Sequence, residues 1–147
     1  MAWVIFDTFL EKQEDGNAVD LDVGGDDVRT MLVDDTRAPV QATDTSMTDI
    51  DDNEVSGTGY TAKGYDHASQ SITLAGGTVT FDVDDATWSQ NGAGFSDARY
   101  AIIYINTGTP ANDTPIAYAD LGGNKGNVDG DLTLEIDSDG VFTKTSS

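Results

Sequence analysis

The chain of 147 residues carries 27 acidic side chains against 7 basic ones, a formal charge of -20, and no cysteine. That balance argues against nucleic acid as a partner, because a phosphate backbone is held by Lys and Arg. The missing thiols exclude disulfides and thiolate metal sites. The length fits one domain over residues 1–147, yet Val, Ile, Leu and Phe make up only about a fifth of the chain, so the expected core is small.

The N-terminal run Met1-Ala2-Trp3-Val4-Ile5-Phe6 meets Asp7 with no basic region, which is not the pattern of a signal peptide. No apolar run approaches the roughly 18 residues of a membrane-spanning helix, so no membrane contact is expected. Ile5, Phe6, Phe9 and Leu10 form a helical stripe, which predicts a short helix over about 4–12. Asp15-Gly16-Asn17 supplies turn chemistry to end it. Asp27 to Val33 reads as a strand. The segment from Asp34 to Gly59 is a long connection holding Pro39, with a short helical turn expected within Met47 to Val55. A loop of that length is often functional or shaped by a partner. Ser71-Ile72-Thr73-Leu74 and Thr78 to Val83 alternate with period two and are joined by Ala75-Gly76-Gly77, the signature of a hairpin. Arg99 to Ile105 is apolar on both faces and is expected to be a central, doubly covered strand. Ile116 to Asp120 is a weaker strand, Asp131 to Ile136 alternates cleanly, and Val141-Phe142 closes the sheet. The polar tail, 143–147, is expected to be loose. Short strands punctuated by Gly, Asp and Asn predict a mainly β fold, an antiparallel β-sandwich or barrel-like domain with a short N-terminal helix.

The acid is almost entirely aspartate, 23 Asp against 4 Glu. Asp suits turns rather than helix or strand interiors. At low salt these carboxylates repel one another. At molar salt the Debye length falls to about 3 Å and the repulsion is screened. The composition points first to a halophilic source; the alternative is an ordinary acidic surface that keeps a secreted or assembled protein soluble.

Catalytic chemistry finds little support. His67, the single histidine, sits in the polar run Tyr65-Asp66-His67-Ala68-Ser69 and is expected on an exposed loop. A Ser–His–Asp arrangement has no G-x-S-x-G to anchor it, and with so many carboxylates no pair is informative for glycoside hydrolysis. Asp129-Gly130-Asp131 and Asp137-Ser138-Asp139-Gly140 resemble parts of a calcium loop, but the full pattern and its distal Glu are missing. They read as Asp-rich turns with diffuse counterions. Asn112-Asp113-Thr114 matches the glycosylation pattern, but Pro115 follows it, and a turn before a strand is the favoured reading. Arg99, the one charge in the most apolar segment, is expected to fork onto an Asp with its stem over Trp88 or Tyr100. No residue is assigned a catalytic, cofactor-binding or metal-binding role.

Several stretches, in order along most of the chain, resemble a family of small virion structural proteins of tailed bacteriophages and archaeal tailed viruses. They are Phe6-Asp7-Thr8-Phe9-Leu10, Asp20-Leu21-Asp22 leading into Val28 to Val33, and Asn53 to Ala62. Phe81 to Ser89 and Ala98 to Tyr104 continue the series. The resemblance implies a capsid decoration or turret protein, or a related head–tail accessory, with no enzyme activity and no cofactor. The chain departs from it in its acidity and in Lys63-Gly64, where two glycines are expected. The implied partners are a major capsid protein or other virion proteins and further copies of the chain. The implied place is the outer surface of a particle assembled in the host cytoplasm, because packaged DNA would repel so acidic a subunit. Assembly is expected through the stripe of Ile5, Phe6, Phe9 and Leu10. The alternative is a tail-tip or fibre-type adhesin binding a host surface glycan, which exposed aromatics at loop ends would favour. A third reading, an extracellular hydrolase, needs a pocket of convergent carboxylates.

Overall fold

The computed structural model describes residues 1–16 and 19–146. Its elements in chain order are β1 (Val4–Ile5), α1 (Asp7–Glu14), β2 (Val28–Val33), β3 (Tyr65–Asp66), β4 (Ser71–Ala75), β5 (Thr78–Asp82), β6 (Ala86–Trp88), β7 (Ala98–Ile105), β8 (Thr114–Lys125), β9 (Leu132–Leu134) and β10 (Phe142–Thr145). The fold is mainly β. Every strand pairing is antiparallel, in a five-stranded sheet ordered β1-β8-β7-β2-β3, a three-stranded sheet β10-β5-β4 and a two-stranded ladder β6-β9.

β7 lies in the middle of the large sheet and is covered on both faces, as its unbroken apolar run requires. Ala101, Ile103 and Ile105 face the two smaller sheets. They meet Phe81 and Val83 at one end, and Ala86, Trp88 and Leu134 at the other. Ile102 and Tyr104 face the opposite way, against Phe6, Met31, Val33, Met47 and Ile50. The packing is that of a sandwich whose second layer is divided in two. The β4–β5 hairpin turns on Gly76 and Gly77, with φ of 57° and 80°. A two-residue loop with both central residues at positive φ matches the twist of the flanking strands, and glycine takes that conformation without strain.

The N-terminal segment differs from expectation. Val4 and Ile5 are a strand, paired with Tyr118 and Ala117 of β8. Phe6, extended at φ -72° and ψ 140°, caps a helix that starts only at Asp7. The backbone N–H of Phe6 donates to Ile116 O at 3.0 Å, so sheet pairing overrides the helical spacing of the apolar residues. The expected exposed stripe is also corrected. Phe6 and Phe9 have no exposed surface, while Leu10 is 45% exposed. The expected end of the helix is seen as far as Gly16 at φ 85°; Asn17, with Ala18 and Ser147, lies outside the described residues.

The connection from Asp34 to Gly59 is largely exposed but is anchored on the chain by a few buried side chains. Two 3-10 turns, Met47–Asp49 and Asp51–Asn53, stand where one helical turn was expected. Ser46 and Asp49 form a reciprocal capping box at the first. Met47, Ile50 and Val55 are buried. Arg37 grips the buried carboxylate of Asp44, donating from Nη1 to Oδ2 at 3.1 Å and also to Asp49 O at 2.9 Å. The segment therefore carries its own ion pair and apolar anchors and covers one face of β7. The tail differs too: Phe142 to Thr145 pairs with β5 along its length, and the Ser146 N–H donates to Gly77 O at 2.8 Å.

Candidate functional site

The inward side of β2 reads Val28, Thr30, Leu32. Val28 belongs to the apolar cluster around Phe81 and Leu32 to the cluster around Trp88. Thr30 falls between the two clusters and has no exposed surface. A buried hydroxyl needs a partner, and it finds one in His67. Thr30 Oγ1 lies 2.6 Å from His67 Nε2, and His67 Nδ1 lies 3.2 Å from Asp84 Oδ1. The same carboxylate accepts from Tyr65 OH at 3.2 Å and from the Ser69 N–H at 3.3 Å. His67 is thus corrected from an exposed loop residue to a side chain with 4% of its surface exposed. Its backbone N–H donates to Val28 O at 3.0 Å, continuing the β2–β3 pairing past Asp66 and drawing the ring inward.

The chemistry fixes the protons. A carboxylate only accepts, so Nδ1–H donates to Asp84, and Nε2 accepts the Thr30 hydroxyl proton. This row of hydroxyl, imidazole and carboxylate has the connectivity of a nucleophile, a general base and an orienting group. Access is what it lacks. Gly64, at φ 88°, packs against the Thr30 carbonyl so closely that a Cβ there would collide with it. Thr30 lines neither groove beside β3. One groove, of about 480 Å³, runs past Arg29, Gly59, Thr61, Tyr65 and Trp88. The other, of about 250 Å³, is lined by Gly24, Asp26, Asp27, Asp66, His67 and Gln70. Between them Arg29 is held by Asp27, with Nε to Oδ1 at 3.1 Å, and lies 3.8 Å from Asp66. Burial alone would raise the Asp27 carboxyl, but bonds from Arg29 and from Asn106 at 2.7 Å hold it below the usual carboxylate range.

Burial pushes the His67 imidazole below its ordinary value, against the pull of Asp84. The folded state therefore favours the neutral ring. That contribution is fully present above the unfolded value of about 6.5 and is lost as pH falls below it. The wild type should lose stability as pH falls below about 6.5, and His67→Gln should lack that increment although it starts from a lower midpoint. Urea titrations of both proteins across that range check this. Glu54, raised by burial despite bonds from Tyr60 OH and the Lys63 N–H, has the opposite sign and cancels in the difference. Equal slopes for the two proteins would show that His67 carries no linkage.

The other sequence candidates fall elsewhere. Among the described residues, no three His, Asp or Glu side chains come together as a metal site. Asp131 accepts the Gln90 N–H at 2.7 Å, and Asp137 pairs with the terminal amine of Met1 at 2.7 Å. Asn112 sits in a turn, its N–H donating to Thr109 O, just before β8. Arg99 forks onto Asp120 at 2.8 and 3.0 Å. Its guanidinium lies over Tyr100, 5.7 Å from the ring centre, and not over Trp88. That hydrogen-bonded pair raises the arginine and lowers the aspartate from their ordinary values. Neither Thr30 nor Asp84 stands out in the sequence as a site residue. A threonine between two apolar inward positions of a strand was the one available signal for Thr30.

No protein-family model, no curated protein and no solved structure matches this chain.

Proposed function

We propose that the protein is a non-enzymatic structural component of a tailed-virus particle, an outer capsid decoration or turret protein of a haloarchaeal virus. The observation that carries this reading is the combination of a -20 charge with a core closed on both faces of β7. Such a subunit stays soluble and rigid in molar salt and is repelled by packaged DNA, so it belongs outside the shell, docked on the major capsid protein. The full burial of Thr30 supports a structural role for the Thr30–His67–Asp84 row. The adhesin alternative gains nothing from the aromatic cluster, because Trp88 and Phe95 are 3% and 2% exposed.

Mass spectrometry of purified particles of the virus that encodes the chain should find it. Protease treatment of intact particles should remove it without releasing DNA. Its presence in infected cells but absence from particles would sink the reading. The halophilic part is checked separately. The thermal midpoint should rise by more than about 5 °C between roughly 0.1 M and 2 M KCl, because screening removes carboxylate repulsion. A midpoint flat across that range would remove the halophile inference.

A further inference from the structure

The longest stretch of the chain without a charged side chain runs from Ala68 to Phe81, and it forms the exposed β4–β5 hairpin. The next longest, Tyr100 to Asn112, contains most of the buried strand β7. Burial explains the second stretch. It does not explain the first, since Thr73, Leu74 and Ala75 are all exposed.

β4 is the free edge of the three-stranded sheet. Its register with β5 pairs Ser71 with Asp82, Thr73 with Thr80 and Ala75 with Thr78. In a two-residue hairpin the residues flanking the turn are a hydrogen-bonded pair, and bonded pairs alternate with unbonded ones. The N–H and C=O groups of Ile72 and Leu74 therefore point away from β5. The outward N–H of Ile72 is taken by Asp22 Oδ1 at 3.3 Å. Among the described residues, nothing bonds the outward groups of Leu74.

Natural edges are usually blunted by lysine, proline, a bulge or a covering loop. This one is covered at Ile72 by the Asp22 loop and left open at Leu74, which is 72% exposed. Val23, also 72% exposed, lies nearby, because its own N–H shares the Asp22 carboxylate at 2.8 Å. Ile72, on the same face as Leu74, packs into the core. An added strand would carry that apolar face outward past Leu74. Its far rim is acidic. Asp20, Asp22 and Asp26 bond backbone N–H groups and, among the described residues, make no ion pair.

We propose that the β4 edge docks an extended segment of another protein, apolar at alternate positions and flanked by Lys or Arg. Backbone pairing at Leu74 sets the extended form, and the Asp20–Asp26 rim sets the sign of the flanking charge. A second copy is disfavoured because it brings -20 against -20. This surface does not depend on the virion reading.

The probe is a short synthetic peptide alternating valine and threonine, with a lysine at each end, titrated into the 15N-labelled full chain. Saturable amide shifts should appear at residues 71–75 and around Val23. N-methylation of the peptide on one edge, or Leu74→Lys in the protein, should weaken binding by roughly tenfold or more. Asp22→Asn keeps the acceptor for Ile72 and Val23, and should weaken it by about threefold at low salt. Leu74→Lys should leave the thermal midpoint unchanged, since the side chain is exposed. No saturable shift at about millimolar peptide, or equal binding of the N-methylated peptide, would overturn the proposal. So would concentration-dependent self-association of the free chain that Leu74→Lys abolishes, because the occupant would then be a second copy.

Discussion

Replacing Asn127 by alanine should cost about 3–5 kcal/mol and lower the thermal midpoint by roughly 10–15 °C. Asn127 has no exposed surface, and its amide joins three loops. Oδ1 accepts the Phe95 N–H at 2.9 Å, while Nδ2 donates to Thr58 O at 3.1 Å and to Ser89 O at 2.8 Å. Truncation orphans one donor and two acceptors, each worth about 1–3 kcal/mol when left buried and unpaired. Asn127→Asp should do comparable harm, because a carboxylate cannot donate to the two carbonyls. Asn124→Ala, at an exposed neighbour with one long bond of 3.4 Å to Asp35, should change stability by less than about 0.5 kcal/mol. Thermal melts of the three variants at one salt concentration decide it. A loss below about 1 kcal/mol for Asn127→Ala would mean that water replaces the amide, and that the three loops are held by something else.

Phe9→Ser should unfold the protein rather than disassemble it. The ring sits among Val28, Phe81, Ile103 and Ile116, and its centre is 5.9 Å from that of Phe142. Emptying that space costs about 3–5 kcal/mol, a large part of the stability of a domain this size. Phe6→Ser should behave alike, since Phe6 is equally buried and meets the Tyr118 ring at 5.2 Å. Leu10→Ser, at the exposed position, should cost less than about 0.5 kcal/mol. Urea unfolding gives the energies, and light scattering on the same samples gives the mass. A stable, folded Phe9→Ser protein whose mass falls would restore the stripe as an interface.

Much of the sheet was legible from pattern alone. The apolar run of β7, the alternation of β4 and β5 and the Gly-Gly turn between them each carry a local signal, and the observed elements follow it closely. What escaped had no local signal. β3, two residues long, exists only because Arg29 and Thr30 pair with it, and β6 only because Leu132 to Leu134 lie alongside. β8 runs on past the expected end at Asp120, through Gly122 and Gly123, because Ala98 pairs with Lys125 across the sheet. The spacing extends the helix back over Ile5, while the partner that claims Ile5 is Ala117. The same limit hid the Thr30–His67–Asp84 row. Each of its members is ordinary in its own segment, and only β2–β3 pairing and the turn after β5 bring them within bonding distance.

The order of the large sheet has a further consequence for synthesis. β1 and β2 have no sheet partner among their neighbours in sequence, apart from the two residues of β3. The two pairs of β1 are made with β8, and the six-pair ladder of β2 with β7, both from the later part of the chain. On a ribosome the N-terminal part therefore waits, with Phe6, Phe9, Met31 and Leu32 uncovered, until those strands emerge. Pairings this remote slow folding and lengthen the time during which apolar segments can meet the wrong neighbour. Between those segments lie aspartates at close intervals, and two nascent chains repel one another through them. The acid then guards the unfinished molecule as well as solvating the finished one.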